Sequence, residues 1–282
     1  MRRDNIQSQR FEFKYIVSED TATAIRDFVQ SYLVIDEYGA TLPNLSYLVH
    51  SLYLDSPDLK LYQTTINGDK NRFKLRLRFY ENRPQAPVYF EIKRRLDNTI
   101  SKKRAGIARD AVDTILAGQL PSPEQVVTQN PNQHQAIREF CQMVSTLNAI
   151  PIAHVAYLRE AWISEHDNTV RMTIDRDVRC EPEPSAELKT TMSAPVRVFG
   201  DFVVLELKFT SRFPDWFKEL VRVYGLTQCG AAKYVDGATL IGPDQLGVGG
   251  GLAPQPMAFD TSFSATKISH LKRREQILLS VS

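Results

Sequence analysis

Cysteine is scarce in this chain of 282 residues, and the three present, Cys141, Cys180 and Cys229, are far apart with no CxxC spacing. That excludes a disulfide framework and a zinc ribbon, and it fits a reducing, cytoplasmic setting. Long apolar runs are also missing. None approaches the roughly 18 residues that a membrane span needs. The basic start, MRRDNIQSQRFEFKY, lacks the apolar stretch of a signal peptide. Charge is nearly balanced, at a net +2, so bulk electrostatics do not announce a nucleic-acid binder. The five histidines are scattered, and each reads as structural or solvated. There is no Walker A sequence, no HExxH and no GxSxG. The glycines from Gly247 to Gly251 follow no strand and precede no lysine.

What is present is an ordinary globular composition, 43% hydrophobic and 24% charged, with strict alternation recurring along it. Phe11, Phe13 and Tyr15 oppose Arg10, Glu12 and Lys14. Phe73, Leu75, Leu77 and Phe79 oppose Arg72, Lys74, Arg76 and Arg78. Further strands are expected at 47–55, 88–93, 99–104, 152–163, 170–175 and 202–209. Helices are expected after the cap Ser18, after Ser56-Pro57, within 110–148, and at 214–224 before Gly225. The connections are too short for parallel crossovers, so the economical assembly is an antiparallel sheet or barrel with helices outside.

Three organisational parts follow: an extension over 1–9, a folded domain over 10–241, and a Gly/Pro-rich linker with a basic tail over 242–282. The stretch from Ser264 to Leu279 has the pattern of a basic amphipathic helix. It reads as a solvated tail, or as a contact for the core, a partner or a membrane surface.

The polar strand faces carry the chemistry. RFEFKY, YFEIKR and LELKF each place a glutamate and a lysine two residues apart, hence on one face of a strand. One such face is ordinary solvent-facing surface with cross-strand ion pairs. Several together, in a sheet that closes, would line a lumen whose cations outnumber its carboxylates. A triphosphate or polyphosphate would supply the missing negative charge, and the carboxylates would hold a divalent metal bridging phosphate oxygens. Single-stranded nucleic acid fits less well, because Phe73, Phe79 and Phe90 fall on apolar faces and leave few stacking platforms.

The ordered set RFEFKY, SLYLDS, KLRLRFY, YFEIKRR with KKR, YLREAW, VRMTIDRDV, VLELKF and AAKYVDG resembles the VTC domains of the triphosphate tunnel metalloenzyme superfamily, over about 10–240. The resemblance implies an α+β fold: an eight-stranded antiparallel β-barrel tunnel, CYTH-like, with helices packed outside. It implies ATP and polyphosphate or triphosphate as ligands and Mn²⁺ or Mg²⁺ as cofactor. By matching motif, Lys14, Arg76, Arg78, Lys93, Arg171 and Lys208 would be catalytic. Arg10, Lys74, Lys103, Arg159 and Lys233 would bind phosphate, and Glu206, Glu12 and Glu91 would be the metal ligands. Arg10 stands where the superfamily's ExExK motif has its first glutamate. This favours the VTC-like branch and puts a full two-metal site in doubt. The expected activity is a polyphosphate polymerase, with a triphosphatase or a non-catalytic polyphosphate or nucleotide sensor as alternatives.

Overall fold

Alternation in the sequence becomes a sheet with one apolar and one charged face. The computed structural model describes residues 10–246 except Asn98, Asn168 and Ser211, and of Arg10 only the backbone. The extension 1–9 and the linker and tail from 247 onward, including the stretch 264–279, lie outside the described residues.

In chain order the elements are β1 (Arg10–Val17), α1 (Glu19–Val29), β2 (Val34–Ile35), β3 (Ser46–Asp55), α2 (Lys60–Ile66), β4 (Asn71–Phe79), β5 (Val88–Leu96) and β6 (Thr99–Ile107). There follow α3 (Val112–Leu116), α4 (Pro131–Leu147), β7 (Ile150–Ile163), β8 (Val170–Pro182), β9 (Val196–Arg197), β10 (Val203–Thr210), α5 (Asp215–Val223) and α6 (Lys233–Ile241). Ser18 caps α1 by accepting from the Thr21 amide at 3.2 Å. The segment expected to be helical over 110–148 divides into α3 and α4, with Gly118, Pro121 and Pro123 between them. Helix α6 was not anticipated, because apolar residues surround most of it and leave no clean helical stripe.

All ten strands join one antiparallel sheet in the order β2-β7-β3-β4-β5-β6-β1-β10-β8-β9, and β7 also pairs with β8. The expectation was eight strands and the described residues form ten: eight run round through the β7–β8 pairing, and β2 and β9 are added beside β7 and β8. Strands β2 and β9 are two residues each, too short to show a pattern in sequence. The sheet curls round, but its β1–β6 seam rests on one register pair, Arg10 with Ile100. The neighbouring β1–β10 ladder, by contrast, runs from Arg10 to Val17.

The convex face is covered by helices. Leu75, Leu77 and Phe79 of β4 pack with Ile115 of α3 and Phe140 of α4. Leu205 and Leu207 of β10 pack with Ile25 of α1 and Phe217 of α5. Helix α6 lies so close to β8 that a Cβ on Gly237 would meet Cys180 Sγ at 2.7 Å. Among the described residues, no helix is long and apolar enough to cross a membrane.

Candidate functional site

The concave face surrounds a cavity of about 710 Å³. Among the described residues its wall holds fourteen lysines and arginines against two carboxylates, Glu12 and Glu206. Strand register sets this up: Lys14 lies opposite Glu206 and Glu12 opposite Lys208. On the far side Arg76 lies opposite Glu91, and Lys74 opposite Lys93.

Glu206 is the hub of one cluster. It accepts from Lys208 at 2.5 Å, Lys233 at 2.9 Å and Thr173 at 3.2 Å. Lys14 and Arg159 lie 3.4 and 3.5 Å from it. Burial alone would raise its carboxyl pKa, but Lys208, Lys233 and Lys14 hold it well below the usual carboxylate range. Glu12 follows the same logic: burial is overcome by Lys93 at 2.9 Å and Lys14 at 3.3 Å, and the carboxyl stays ionised. Behind this cluster Asp175, fully buried, holds Arg159 through two bonds of 2.7 Å and Lys233 at 2.7 Å. Asp175 thereby aims both cations at the cavity.

Glu91 anchors a second cluster. Its carboxylate takes Arg76 at 2.6 Å, Lys102 at 3.4 Å and Arg104 at 3.5 Å. Two further cations have no carboxylate within ion-pair distance among the described residues. Arg78 donates to the Tyr157 hydroxyl at 2.9 Å, and its buried Nε has no partner there. Lys74 is depressed to about 7 by burial and by its cationic neighbours Lys14 and Lys93. Buried cations of this kind are costly unless an anion joins them.

The residues singled out in sequence divide clearly. Lys14, Lys74, Arg76, Arg78, Lys93, Arg159, Arg171, Lys208, Lys233, Glu12 and Glu206 all line the cavity. Lys103 does not: it pairs with Glu139 of α4 on the convex face. The residues that reach the cavity are Lys102 and Arg104. A signal for this was present, because Lys103 shares its strand parity with Ala105 and Ile107, both fully buried in the core. Arg10 pairs its backbone with Thr210 and Ile100, and its side chain lies outside the described residues. Sequence reasoning also missed Tyr47, Tyr53, Tyr80 and Tyr157 on the wall. It missed the turn before α6, where Ala231 accepts from Lys14 at 2.9 Å.

The three candidate metal ligands do not form one site. Among the described residues, no three His, Cys, Asp or Glu side chains converge on a metal position. Glu91, the third expected ligand, sits apart with Arg76, Lys102 and Arg104. Glu12 and Glu206 share Lys14, and as a pair of hard oxygen donors they would suit a hard divalent cation that takes its remaining ligands from elsewhere.

The VTC domain family matches residues 9–241. Similar solved structures include a Bacillus halodurans protein provisionally called an adenylate cyclase, at 14% identity over 79% of this chain and 94% of that one, with a TM-score of 0.47. A Vibrio parahaemolyticus protein of the same description is 12% identical over 81% of this chain and 97% of that one, with a TM-score of 0.40. The Mimivirus capping enzyme triphosphatase is 13% identical over 78% and 90%, with a TM-score of 0.35. No curated protein matches the chain.

Proposed function

This chain belongs to the VTC domain family, and on that footing we propose that it is a polyphosphate polymerase, moving the terminal phosphoryl group of ATP onto a polyphosphate chain in the basic cavity. The observation that carries this reading is the surplus of positive charge in the cavity wall, above all buried Arg78 and half-buried Lys74, with which no carboxylate among the described residues pairs. A phosphate chain offers repeated anionic oxygens to such a wall, and arginine forks grip them in pairs.

The chemistry asks little of the protein beyond position and charge. An oxygen at the end of the acceptor chain bonds to the terminal phosphorus of ATP as the bond to the departing nucleoside diphosphate breaks. The acceptor oxygen is already ionised, so no general base is required. Arg76, Arg78, Arg159 and Arg171 would hold the two chains in line, while Lys14, Lys93, Lys208 and Lys233 would offset charge that gathers on the oxygens. Glu91 and Asp175 act as positioning groups: they orient Arg76 and Arg159 and leave guanidinium edges facing the cavity. A divalent cation, Mn²⁺ or Mg²⁺, would be held by Glu206 and Glu12 with phosphate oxygens and would add further charge neutralisation.

Incubation with ATP and Mn²⁺, followed by a gel stained for polyphosphate, tests this directly. Chains that lengthen with time are expected. Release of inorganic phosphate without chains would make the protein a triphosphatase instead. Tight binding with no turnover would make it a sensor.

A further inference from the structure

Four tyrosines gather beside the cavity, and two of them also touch its cations: the Tyr47 hydroxyl accepts from Arg171 at 3.5 Å, and the Tyr89 ring lies under Arg104. Tyr47 and Tyr80 line the wall, and Tyr38 and Tyr89 flank them. Ring centroids run Tyr38–Tyr47 at 6.1 Å, Tyr47–Tyr80 at 6.2 Å and Tyr80–Tyr89 at 6.1 Å. None of these contacts is stacked: the interplanar angles are 60°, 58° and 72°. Elsewhere, Tyr53 of the same wall lies face to face with the buried Tyr234 at 4.9 Å and 9°, so their facing surfaces are used up. In the row of four, the Arg104 guanidinium covers one face of Tyr89, and Tyr38 and Tyr80 are the rings left open to solvent. Tyr38 is 66% exposed and Tyr80 39% exposed, a poor arrangement for aromatic rings that only fill space.

The row is built rather than incidental. Asp36 folds the loop behind Tyr38, its carboxylate accepting from the Gly39 amide at 2.9 Å. A Cβ at Gly39 would meet the Leu45 carbonyl oxygen at 2.6 Å, so the turn needs glycine. The same carboxylate binds the Tyr47 hydroxyl and Arg171, each at 3.2 Å, which ties the loop to the cavity wall. At the other end Gly106 makes room for Tyr89: a Cβ there would lie 3.2 Å from its ring. The Arg104 guanidinium sits 3.5 Å over that ring. The shortage of stacking platforms expected from sequence therefore does not hold at this edge of the cavity.

We propose that this tyrosine row is a nucleobase subsite, seating the base of a nucleoside triphosphate while its phosphates extend toward Arg78, Arg159 and Arg171. The inference rests on the reading of the cavity as a phosphate site and adds what selects a nucleotide over a bare phosphate chain. A planar base provides the ring to lie against open tyrosine faces, and the chain it carries provides the anion for the adjacent arginines. Single-stranded nucleic acid would use similar faces, but its phosphates are diesters along a backbone and do not present a terminal chain to a concave wall.

The test is calorimetric titration of wild-type, Tyr38→Ala, Tyr80→Ala and Tyr80→Phe proteins with ATP and, separately, with tripolyphosphate. Both alanine variants should lose roughly tenfold in ATP affinity and bind tripolyphosphate as the wild type does. Tyr80→Phe, which keeps the ring, should match the wild type with both ligands. Unchanged ATP affinity in both alanine variants would overturn the subsite. So would equal losses for ATP and tripolyphosphate, which would mark a general distortion of the wall. A short single-stranded oligonucleotide that binds more tightly than ATP and depends on the same tyrosines would also overturn it. Failure of the wild-type protein to bind tripolyphosphate at all would strike at the cavity reading itself, a separate result from any of these.

Discussion

The two faces of strand β4 obey opposite rules. Leu75, Leu77 and Phe79 are essentially inaccessible and join a core made with α3 and α4. Lys74, Arg76 and Arg78, one residue out of step, meet across a cavity with other cations. The first set is satisfied within the chain, and its removal from water drives folding. The second is satisfied only in part, and in the function proposed above that shortfall is what would bind an anion. Stability and function are thus separated by one residue of parity.

The largest effect should come from the group that joins both roles. Glu206→Gln removes the shared partner of Lys14, Arg159, Lys208 and Lys233. It should lower turnover by about 10²–10³ and destabilise the fold by about 3–5 kcal/mol, as loss of one partner from a buried ion pair does. Turnover assays and urea denaturation check the two halves; a variant as active as the wild type would remove Glu206 from the chemistry.

A matched pair of substitutions on β4 then tests the comparison itself. Leu77→Ala should cost about 2–5 kcal/mol in urea denaturation, with tripolyphosphate affinity of the folded protein unchanged. Arg78→Gln should lose about 10²–10³ in turnover while its melting temperature holds or rises, because a buried cation without a carboxylate is removed. If Arg78→Gln melted as early as Leu77→Ala, the division between the two faces would collapse.

A smaller effect is expected from pH. Lys74 is held near 7 by burial and faces Lys14, Lys93, Arg72 and, with opposite sign, Asp236. A bound polyanion favours its charged form, so affinity for tripolyphosphate should fall several-fold as pH rises from about 7 to about 8.5. Lys74→Arg should flatten that dependence in titrations across the range. For the free protein the sign reverses: the unfolded lysine keeps its proton up to about 10.5, so this group's contribution to stability grows as pH rises through about 7.

The smallest effect belongs to Lys103. Lys103→Ala should leave tripolyphosphate affinity unchanged, whereas Lys102→Ala should weaken it measurably at low salt. The opposite result would mean that β6 is shifted by one residue from the register described.

Much of the fold was readable because its signals are local. Alternation over eight or more residues marks a strand, and Ser18 before Glu19 and Asp20 marks a helix start. β2 and β9 carried no such signal, being formed by what lies beside them. The lining of the cavity was legible in its residue types and its parity. Lys103 was misplaced because the run Lys102-Lys103-Arg104 offers basic residues on both faces, and only the apolar partners Ala105 and Ile107 reveal which face is outward.

The sequence alone determined that several strands have one greasy and one basic side, since side-chain direction along a strand follows directly from backbone geometry. It could not determine which carboxylates would stay committed to arginines, which cations would be left without a carboxylate, or that tyrosines from β3, β5 and the loops at 38 and 80 would meet at one edge. Those outcomes depend on distances between residues remote in the chain. Only the curling of the sheet brings them within reach of one another.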